Sequence, residues 1–327
     1  MGYKKCLVLA GFISTLIFFA SSASAQSGAY PNKPIKFVVG FVAGSATDTA
    51  ARIIAERLRP QLGQQILVEN RPGASSSIAT ELVANSPGDG YTLLFSSSSA
   101  TVNAAAHGSS ASTLAYKSLV PIALVASIPN ILVVNSNLGV KSVQEFIALV
   151  KSKPGEISYA SSGSGSSPHM SAELFEARTG IQMQHVPYKG STQAMNDVLS
   201  GLVPVMFSPA SSVLPHINSG KLVALATTSN RRTPLIAVPT LEEAGVANFN
   251  VSLWFGILAP KGTDSQIVNK LSNAIVKALD DPETKKLLAA QTMDIVKADP
   301  VEFKVFINSE ITKWGGLIKS NKIDLNQ

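Results

Sequence analysis

Two short stretches of small residues, each lying between an apolar strand and a helix, constrain this chain more than any other feature. The first, residues 40–48, follows the apolar run Ile35–Val39. The second, residues 161–169, follows a short strand-like run at 157–160 and leads into a helical pattern that begins near Pro168. A strand, a small-residue loop and a helix start in that order direct free backbone N–H groups at one point, and the helix N-terminus adds about half a positive charge. Two such loops therefore indicate a negatively charged ligand held between two halves of the protein.

The first 25 residues predict a signal peptide that is cleaved after Ala25. Lys4 and Lys5 precede an apolar stretch at 7–20, and residues 23–25 form an Ala-Ser-Ala cleavage motif. The apolar stretch is too short to cross a membrane comfortably. Cleavage takes the 327-residue chain to 302 residues, its formal charge from +6 to +4, and removes the only cysteine, Cys6. We expect a cysteine-free mature protein in a bacterial periplasm.

The mature length fits about two domains, and its pattern predicts an α/β fold with two lobes. Strand-like apolar runs alternate with helical patterns, which favours a mostly parallel sheet flanked by helices in each lobe. The β-like stretches at 120–125 and 131–134 are candidates for crossing between lobes, and the apolar run at 251–258 is a candidate for the return. The expected boundaries are 26–126 with 251–327 for lobe I, and 127–250 for lobe II. Hydroxyl residues followed three positions later by Glu or Gln predict helix starts at Ser142, Thr240 and Thr263.

The sequence gives little support to nucleotide, metal or nucleic-acid chemistry. The run 163–168 (Gly-Ser-Gly-Ser-Ser-Pro) fails the dinucleotide fingerprint at its third glycine, and no phosphate-binding G-x-x-x-x-G-K-[ST] motif occurs. The four histidines are isolated and lack metal-ligand spacing, so no cofactor and no metal is expected. The basic residues are dispersed, which argues against nucleic acid.

An exported serine hydrolase is the remote enzyme alternative. Serines are abundant and His169 and Asp197 are present, but no G-x-S-x-G elbow marks a nucleophile. We therefore expect that the protein is not an enzyme.

Four residues have two open interpretations each. Ser97 belongs to a serine run, 96–99, that follows the third strand and either faces the crevice or forms a flexible loop. The His169 ring either donates to a bound anion or makes a structural hydrogen bond near its loop. Tyr188 either lines a pocket or lies in a surface turn at 185–190, and Trp254 belongs either to the core or to the cleft.

A series of short motifs, taken together and in order, resembles the Bug proteins, the solute receptors of tripartite tricarboxylate transporters. They cover nearly all of the mature chain: 30–35 (YPNKPI), 44–48 (GSATD), 70–74 (NRPGA), 89–94 (DGYTLL), 164–169 (SGSSPH), 185–190 (HVPYKG), 238–245 (VPTLEEAG) and 254–256 (WFG). The resemblance implies a two-lobed, type II-like periplasmic binding protein that closes over a small carboxylate. It also implies permease subunits as partners, and we expect a monomer. The alternative is a ligand sensor whose closed form is read by a signalling partner.

The resemblance nominates ligand-binding residues in the two loops. They are Phe41, Ala43, Gly44, Ser45, Thr47 and Asp48 in the first loop, and Ser161, Gly163, Gly165, Ser166 and His169 in the second. Ser97, Tyr188 and Ser208 complete the predicted site. We expect Asp48 to order its loop, since a carboxylate that faces an anion repels it.

Two departures from the family pattern bear on the ligand. The first loop has Val-Ala-Gly-Ser at 42–45 where the family usually has Pro-Pro-Gly-Gly, so Ser45 adds a hydroxyl donor. Ser208 stands where many members carry an acidic residue, which removes a natural partner for a ligand ammonium group. We therefore expect a non-amino mono- or dicarboxylate, aliphatic or aromatic.

Overall fold

The computed structural model describes residues 30–234 and 236–325, so the predicted signal peptide lies outside the described residues. In the described ranges the strands are β1 (Ile35–Val39), β2 (Ile66–Asn70), β3 (Thr92–Ser97), β4 (Val120–Asn135), β5 (Ser158–Ser161), β6 (Gln184–Pro187), β7 (Val205–Pro209), β8 (Leu222–Thr227), β9 (Ser252–Ala259) and β10 (Asp294–Ala298). The α-helices are α1 (Ala46–Leu62), α2 (Ser77–Ala84), α3 (Ser98–Ala106), α4 (Ala111–Ser118), α5 (Val143–Ser152), α6 (Ser167–Thr179), α7 (Ser191–Ser200), α8 (Ala210–Asn218), α9 (Ser265–Asp280), α10 (Pro282–Ala290) and α11 (Pro300–Asn321).

The expected α/β fold is confirmed, and its sheet is mixed. Parallel pairs join β1 to β2 and β3, and join β5 to β6 and β7. Antiparallel pairs surround β4 and β9, which the mostly parallel pattern of the sequence did not indicate. Within each group of parallel strands the carboxyl ends lie at one edge. The two groups run in opposite directions, and their carboxyl ends meet near the middle of β4: Ser97 pairs with Phe255, which pairs with Ala126, and Pro209 pairs with Asn130. The helices that follow β1, β3, β5, β6 and β7 therefore begin near the same region.

One long strand joins the two halves of the sheet. The 16 residues of β4 form one continuous strand over both β-like stretches of the sequence, 120–125 and 131–134. Its first part pairs with β9 and β10, and its last part, from Asn130 onward, pairs with β7 and β8. Between the two parts, Thr228 Oγ1 lies within hydrogen-bond distance of two carbonyl oxygens, Val251 O at 2.7 Å and Asn130 O at 3.0 Å, and donates its one proton to either. The expected lobe boundaries remain a proposal. Because β4 pairs with strands of both halves, a boundary between two lobes would fall within this strand.

A buried carboxylate connects β9 to the last helix. Trp254 on β9 and Trp314 on α11 are each 2% exposed. Both indole Nε1 groups donate to Glu310 Oε2, at 3.2 and 3.1 Å. Trp254 packs in one apolar cluster with Phe303, whereas Trp314 packs in another cluster that includes α5 and α6 residues. The core interpretation of Trp254 is therefore correct, and Glu310 links the two clusters.

A backbone segment of unusual conformation meets the second loop. Ala74, Ser75 and Ser76 have φ values of 45°, 49° and 76°, a left-handed conformation that costs about 1–2 kcal/mol for each non-glycine residue. Ser75 Oγ donates to Ser164 O at 2.8 Å, 89 residues away in the chain. This bond joins the segment after β2 to the loop after β5.

Several elements differ from the sequence prediction. The helix expected after Thr240 is wrong: residues 241–245 form a turn, although Thr240 and Glu243 exchange the two hydrogen bonds of a capping box. The cap of α9 is Asp264 rather than Thr263, and Thr263 Oγ1 instead donates to Pro260 O at 2.8 Å. The helices α3, α4 and α8 and the strand β10 had no counterpart in the prediction. Among the described residues, no helix is long and apolar enough to span a membrane.

Candidate functional site

A cavity of about 420 Å³ lies where the helices after the parallel strands begin. Five helices line it with residues of their first turn or cap. These residues include Thr47 of α1, Ser99 of α3, Ser167 of α6, Thr192 of α7 and Pro209, the cap of α8. Each of these helices directs the positive end of its dipole toward the cavity. This size is within the range of small-molecule sites.

The first loop is held in shape by Asp48. Its Oδ2 accepts hydrogen bonds from Gly44 N at 2.9 Å and from Arg52 Nε at 3.0 Å, and its Oδ1 accepts one from Asn70 Nδ2 at 2.9 Å. Burial alone would raise the pKa of the Asp48 carboxyl, but the hydrogen bonds from Arg52, Gly44 and Asn70 outweigh burial and lower it. The carboxylate is buried on the loop side of α1 and is not part of the cavity lining. Asp48 thus orders the loop, as expected.

The N-terminus of α1 supplies backbone donors to the cavity. Ser45 caps the helix: its Oγ accepts from Asp48 N at 3.3 Å, and its carbonyl accepts from Thr49 N at 2.9 Å. In the described structure the N–H groups of Ala46 and Thr47, the first two of the helix, donate to no protein group, and both residues line the cavity. A bound anion can therefore accept these bonds without breaking any existing one.

The second loop uses most of its N–H groups internally. Gly163 N donates to Ser161 Oγ at 3.2 Å, Gly165 N donates to His169 Nδ1 at 3.1 Å, and Ser166 N donates to Gly163 O at 3.1 Å. Pro168, the second residue of α6, has no N–H. The second loop is consequently a weaker source of backbone donors than the sequence suggested.

Histidines behind the second loop form a buried network. His169 accepts from Gly165 at Nδ1, which leaves the proton on Nε2, 3.4 Å from Glu173 Oε1. Its ring stacks on His185 with centroids 4.0 Å apart, and Tyr159 OH donates to Glu173 Oε1 at 2.9 Å. Burial would raise the pKa of the Glu173 carboxyl, yet the bonds from His169 and Tyr159 lower it. His169 therefore makes the structural hydrogen bond that was one of its two interpretations.

This network does not have the properties of a hydrolase site. Ser161 Oγ lies 2.7 Å from His185 Nε2, a distance typical of a nucleophile and its base. However, Ser161 is fully buried, and burial together with His169 lowers the pKa of His185 to about 3. An imidazole with so low a pKa is a weak general base near neutral pH. The other candidates are separate, since Asp197 accepts from Tyr188 OH at 2.6 Å and has no part in the histidine network.

The structure brings together about half of the predicted ligand-binding residues. Those that line the cavity are Phe41, Ala43, Gly44, Ser45, Thr47 and Ser166. Those that do not line it in this conformation are Asp48, Ser97, Ser161, Gly163, Gly165, His169, Tyr188 and Ser208. Three residues outside the lining instead hold the lining elements in place. Asp48 and His169 each accept a hydrogen bond from a loop N–H, and Tyr188 joins the end of β6 to α7 by donating to Asp197.

Ser97 and Ser208 are buried with hydroxyl groups that have no protein partner. The same is true of Ser98 Oγ and of Asn130 Oδ1. Three of them lie one step from the lining: Ser98 precedes Ser99, Ser208 precedes Pro209, and Asn130 Nδ2 donates to Ser167 Oγ at 2.7 Å, whereas Ser97 is two residues before Ser99. An unpaired buried polar group costs about 1–3 kcal/mol, so the layer behind the cavity wall carries polar groups whose hydrogen-bonding capacity the protein does not use. The serine run at 96–99 is a buried strand end and helix start, and the loop interpretation is wrong.

Sequence reasoning missed one whole wall of the cavity. It is formed by one face of α7 (Ser191, Thr192, Met195, Asn196 and Leu199), by Ser212 and His216 of α8, and by Leu253 of β9. The sequence did carry a signal for α7, because Gly190-Ser191-Thr192 after β6 repeats the strand, small-residue loop and helix order of the two predicted loops. No Asp, Glu, Lys or Arg lines the cavity in the described residues, and His216 is its only ionisable side chain.

Comparison with known families and structures gives concordant matches. Residues 50–323 match the family model described as "Tripartite tricarboxylate transporter family receptor". Protein BugT of Bordetella pertussis (strain Tohama I) is 40% identical over 323 residues, which are 98% of this chain and 98% of that protein.

Solved structures of similar proteins share the fold. The periplasmic binding protein BugD is 32% identical with a TM-score of 0.81, over 90% of this chain and 99% of that one. A protein of R. palustris solved with adipate is 31% identical with a TM-score of 0.84, over 90% and 99% of the two chains. MatC of Rhodopseudomonas palustris, solved with bound malate, is 29% identical with a TM-score of 0.79, over 88% and 100%.

Proposed function

The chain belongs to the tripartite tricarboxylate transporter receptor family, whose members are periplasmic solute-binding proteins, and from this premise we propose that it captures a small carboxylate in its cavity. The ligand is a non-amino mono- or dicarboxylate, aliphatic or aromatic. The protein acts as a monomer that is exported by its signal peptide and delivers the ligand to the permease subunits of a tripartite tricarboxylate transporter. It carries out no reaction on the ligand.

The observation that carries the proposal is the convergence of five helix N-termini on a cavity whose lining, among the residues that the structure describes, has no Asp, Glu, Lys or Arg. The first-turn N–H groups of α1 at Ala46 and Thr47 are unpaired, and the neighbouring helices add their positive ends. Neutral backbone donors bind a carboxylate without placing a cation in the site, as at other helix N-termini. Two similar structures, solved with adipate and with malate, show that proteins of this fold hold small dicarboxylates.

The lining also supports a ligand without an ammonium group. An amino acid needs an acceptor for its ammonium, and a carboxylate is the strongest one available in proteins. In the part of the chain that the structure describes, no Asp or Glu lines the cavity, and Ser208 is fully buried outside the lining. An α-amino group would therefore lose its hydration for weaker partners, so deaminated analogues should bind more tightly.

Isothermal titration calorimetry of the ligand-stripped mature protein tests the proposal. The panel pairs each carboxylate with its amide and each dicarboxylate with the corresponding amino acid: succinate with aspartate, and glutarate with glutamate. We expect binding of carboxylates, none of their amides, and weaker binding of the amino acids. If no carboxylate binds, the proposed function is refuted; if aspartate or glutamate binds best, the non-amino assignment is wrong.

One substitution removes a single donor and leaves the helix intact. Ala46 is the first residue of α1, where proline is favoured and lacks the N–H. The preceding Ser45, at φ −67° and ψ 160°, already has the conformation that proline requires of its neighbour. Ala46→Pro should weaken carboxylate binding roughly 10-fold, the effect of one hydrogen bond to a charged group.

Two control variants separate this effect from others. Ala46→Val adds similar bulk while keeping the N–H, so it should bind more tightly than Ala46→Pro. Ala111→Pro makes the same change at the first residue of α4, whose cap Ser110 has φ −60° and ψ 159°, away from the cavity. It should bind as the wild type does. Equal affinity of Ala46→Pro and wild type would show that the α1 N-terminus does not hold the ligand.

A further inference from the structure

The cavity is elongated, because two helices run along it from the same starting edge. The lining residues of α7 span from Ser191 to Leu199, about 12 Å along the helix axis. Those at α8 span from Pro209 to His216, about 10 Å. Since β6 and β7 are both parallel to β5, α7 and α8 begin at the same edge of the sheet. The near end thus contains the helix N-termini, and the far end contains Leu199 and His216.

The far end has one polar side chain, that of His216, which the rest of the described protein leaves unpaired. Ser212 lies in the first turn of α8, at the near end, and Asn196 follows Met195 in the middle of α7. In the described structure, the side chains of Asn196, Ser212 and His216 make no hydrogen bond to another residue. His216 is bonded only at its backbone carbonyl, which accepts from Lys221 N at 3.0 Å and from Ser219 Oγ at 3.1 Å. Ser212 and His216 are four residues apart on α8 and therefore lie on one face. Between the two ends, the wall is apolar at Met195 and Leu253.

We propose that His216 is a specificity-determining residue that binds the second carboxylate of a linear dicarboxylate lying lengthwise in the cavity. This inference rests on the proposed function, and it adds the ligand's shape and the residue that selects it. The first carboxylate lies at the helix N-termini, the methylene chain packs on Met195 and Leu253, and the second carboxylate reaches the far end. There the imidazole donates a hydrogen bond, which it can do whether neutral or protonated, because one ring nitrogen always carries a proton.

Chemical complementarity favours this orientation over its alternatives. Two hydrogen-bonding ends separated by an apolar wall match a ligand with two carboxylates separated by methylene groups. A monocarboxylate of the same length leaves the His216 ring without a partner, and a short dicarboxylate cannot span both ends.

Calorimetry at one fixed pH tests the inference with adipate and hexanoate, which have the same number of carbons but differ in the second carboxylate. The wild type should bind adipate at least 10-fold more tightly than hexanoate, the size of one hydrogen bond to a charged group. His216→Phe keeps an aromatic ring without the N–H and should lose that preference while binding hexanoate as before. His216→Gln restores a side-chain N–H donor and should recover part of the preference.

Each outcome separates this inference from the function on which it rests. If His216→Phe leaves the adipate preference unchanged, or weakens adipate and hexanoate equally, His216 is not the selecting residue. If hexanoate binds the wild type as tightly as adipate does, the lengthwise dicarboxylate is refuted, yet carboxylate binding stands. If neither acid nor any shorter carboxylate binds, the proposed function itself fails. Thermal melts of both variants establish that they are folded, and His216 is partly exposed, which favours tolerance of the change.

Discussion

Replacing Glu310 by leucine should destabilise the protein strongly, because one carboxylate oxygen serves two buried indoles. Trp254 and Trp314 both donate to Glu310 Oε2, at 3.2 and 3.1 Å, and both are 2% exposed. Leucine fills the space but offers no acceptor. Each buried donor left without a partner costs about 1–3 kcal/mol, so the two indoles together cost about 2–6 kcal/mol.

The ion pair of Glu310 contributes much less than the indoles. Lys313 Nζ lies 3.1 Å from Glu310 Oε1, and the lysine side chain is 38% exposed. Pairs of this kind contribute at most about 1 kcal/mol. Lys313→Met is therefore the matched control, with an expected loss below about 1 kcal/mol. Glu310→Gln keeps an acceptor oxygen for the indoles, so its loss of stability should lie between those of Lys313→Met and Glu310→Leu.

Urea unfolding measures these differences by two signals. Circular dichroism reports the whole chain, and fluorescence reports Trp254 and Trp314 alone, because the sequence has 2 tryptophans. Glu310→Leu should lower the unfolding midpoint much more than Lys313→Met does. The emission spectrum should change in both variants, because Lys313 Nζ lies 4.4 Å from the centroid of the Trp314 ring. A leucine variant as stable as wild type would mean that the indoles find other acceptors, and the argument from unpaired donors would be refuted.

Three further changes follow from the described contacts. Burial raises the pKa of Glu176 from 4.5 to about 7, so ionisation opposes folding and wild type loses stability relative to Glu176→Gln as pH rises from 4.5 through 7. The pH-dependent part of the stability difference between the two proteins should reach about 3 kcal/mol at pH 8 and vanish near pH 4. Urea midpoints measure it, and a difference that does not change with pH would contradict the argument. Ser75→Ala removes the 2.8 Å bond to Ser164 O, worth about 1 kcal/mol, and should increase the radius of gyration of the ligand-free protein in small-angle X-ray scattering. Gly256→Ala places a methyl group 2.2 Å from Phe303 Cζ and should cost about 1–3 kcal/mol, recovered in part by adding Phe303→Leu; stability equal to wild type would show that the core yields there.

The sequence predicted the elements whose patterns are strong and local. The strand, loop and helix order at β1–α1 and at β5–α6 is as expected, with Ser45 and Ser166 as caps. The sequence also indicated the two β-like stretches of β4, but it did not indicate that they form one strand that continues through Pro129. The helix α8 was missed because it contains Pro215 and two serines, which are poor helix formers. It forms because packing on the sheet outweighs its weak intrinsic preference.

The predicted site was right about the first loop and incomplete elsewhere. Backbone donors at Thr47 were foreseeable, since they follow from a helix start. The hydrogen bond from Gly165 N to His169 Nδ1 was not foreseeable, because it depends on the side-chain conformation of a residue four positions later. The α7 and α8 wall was out of reach for a different reason. Its residues come from two helices whose mutual position is set by the pairing of β5 with β6 and β7.

The position of β9 has a consequence for the order in which the protein assembles. β9 lies between β3 and β4, but it is made long after both. Until residues 252–259 arrive, β3 has one open edge and the first part of β4 lacks a neighbour, and open strand edges promote aggregation. The partners of β5 to β8, in contrast, all lie between residues 120 and 227. A chain that stops before β9 should therefore form the β4–β8 half first and expose the first three strands as an unfinished, association-prone sheet.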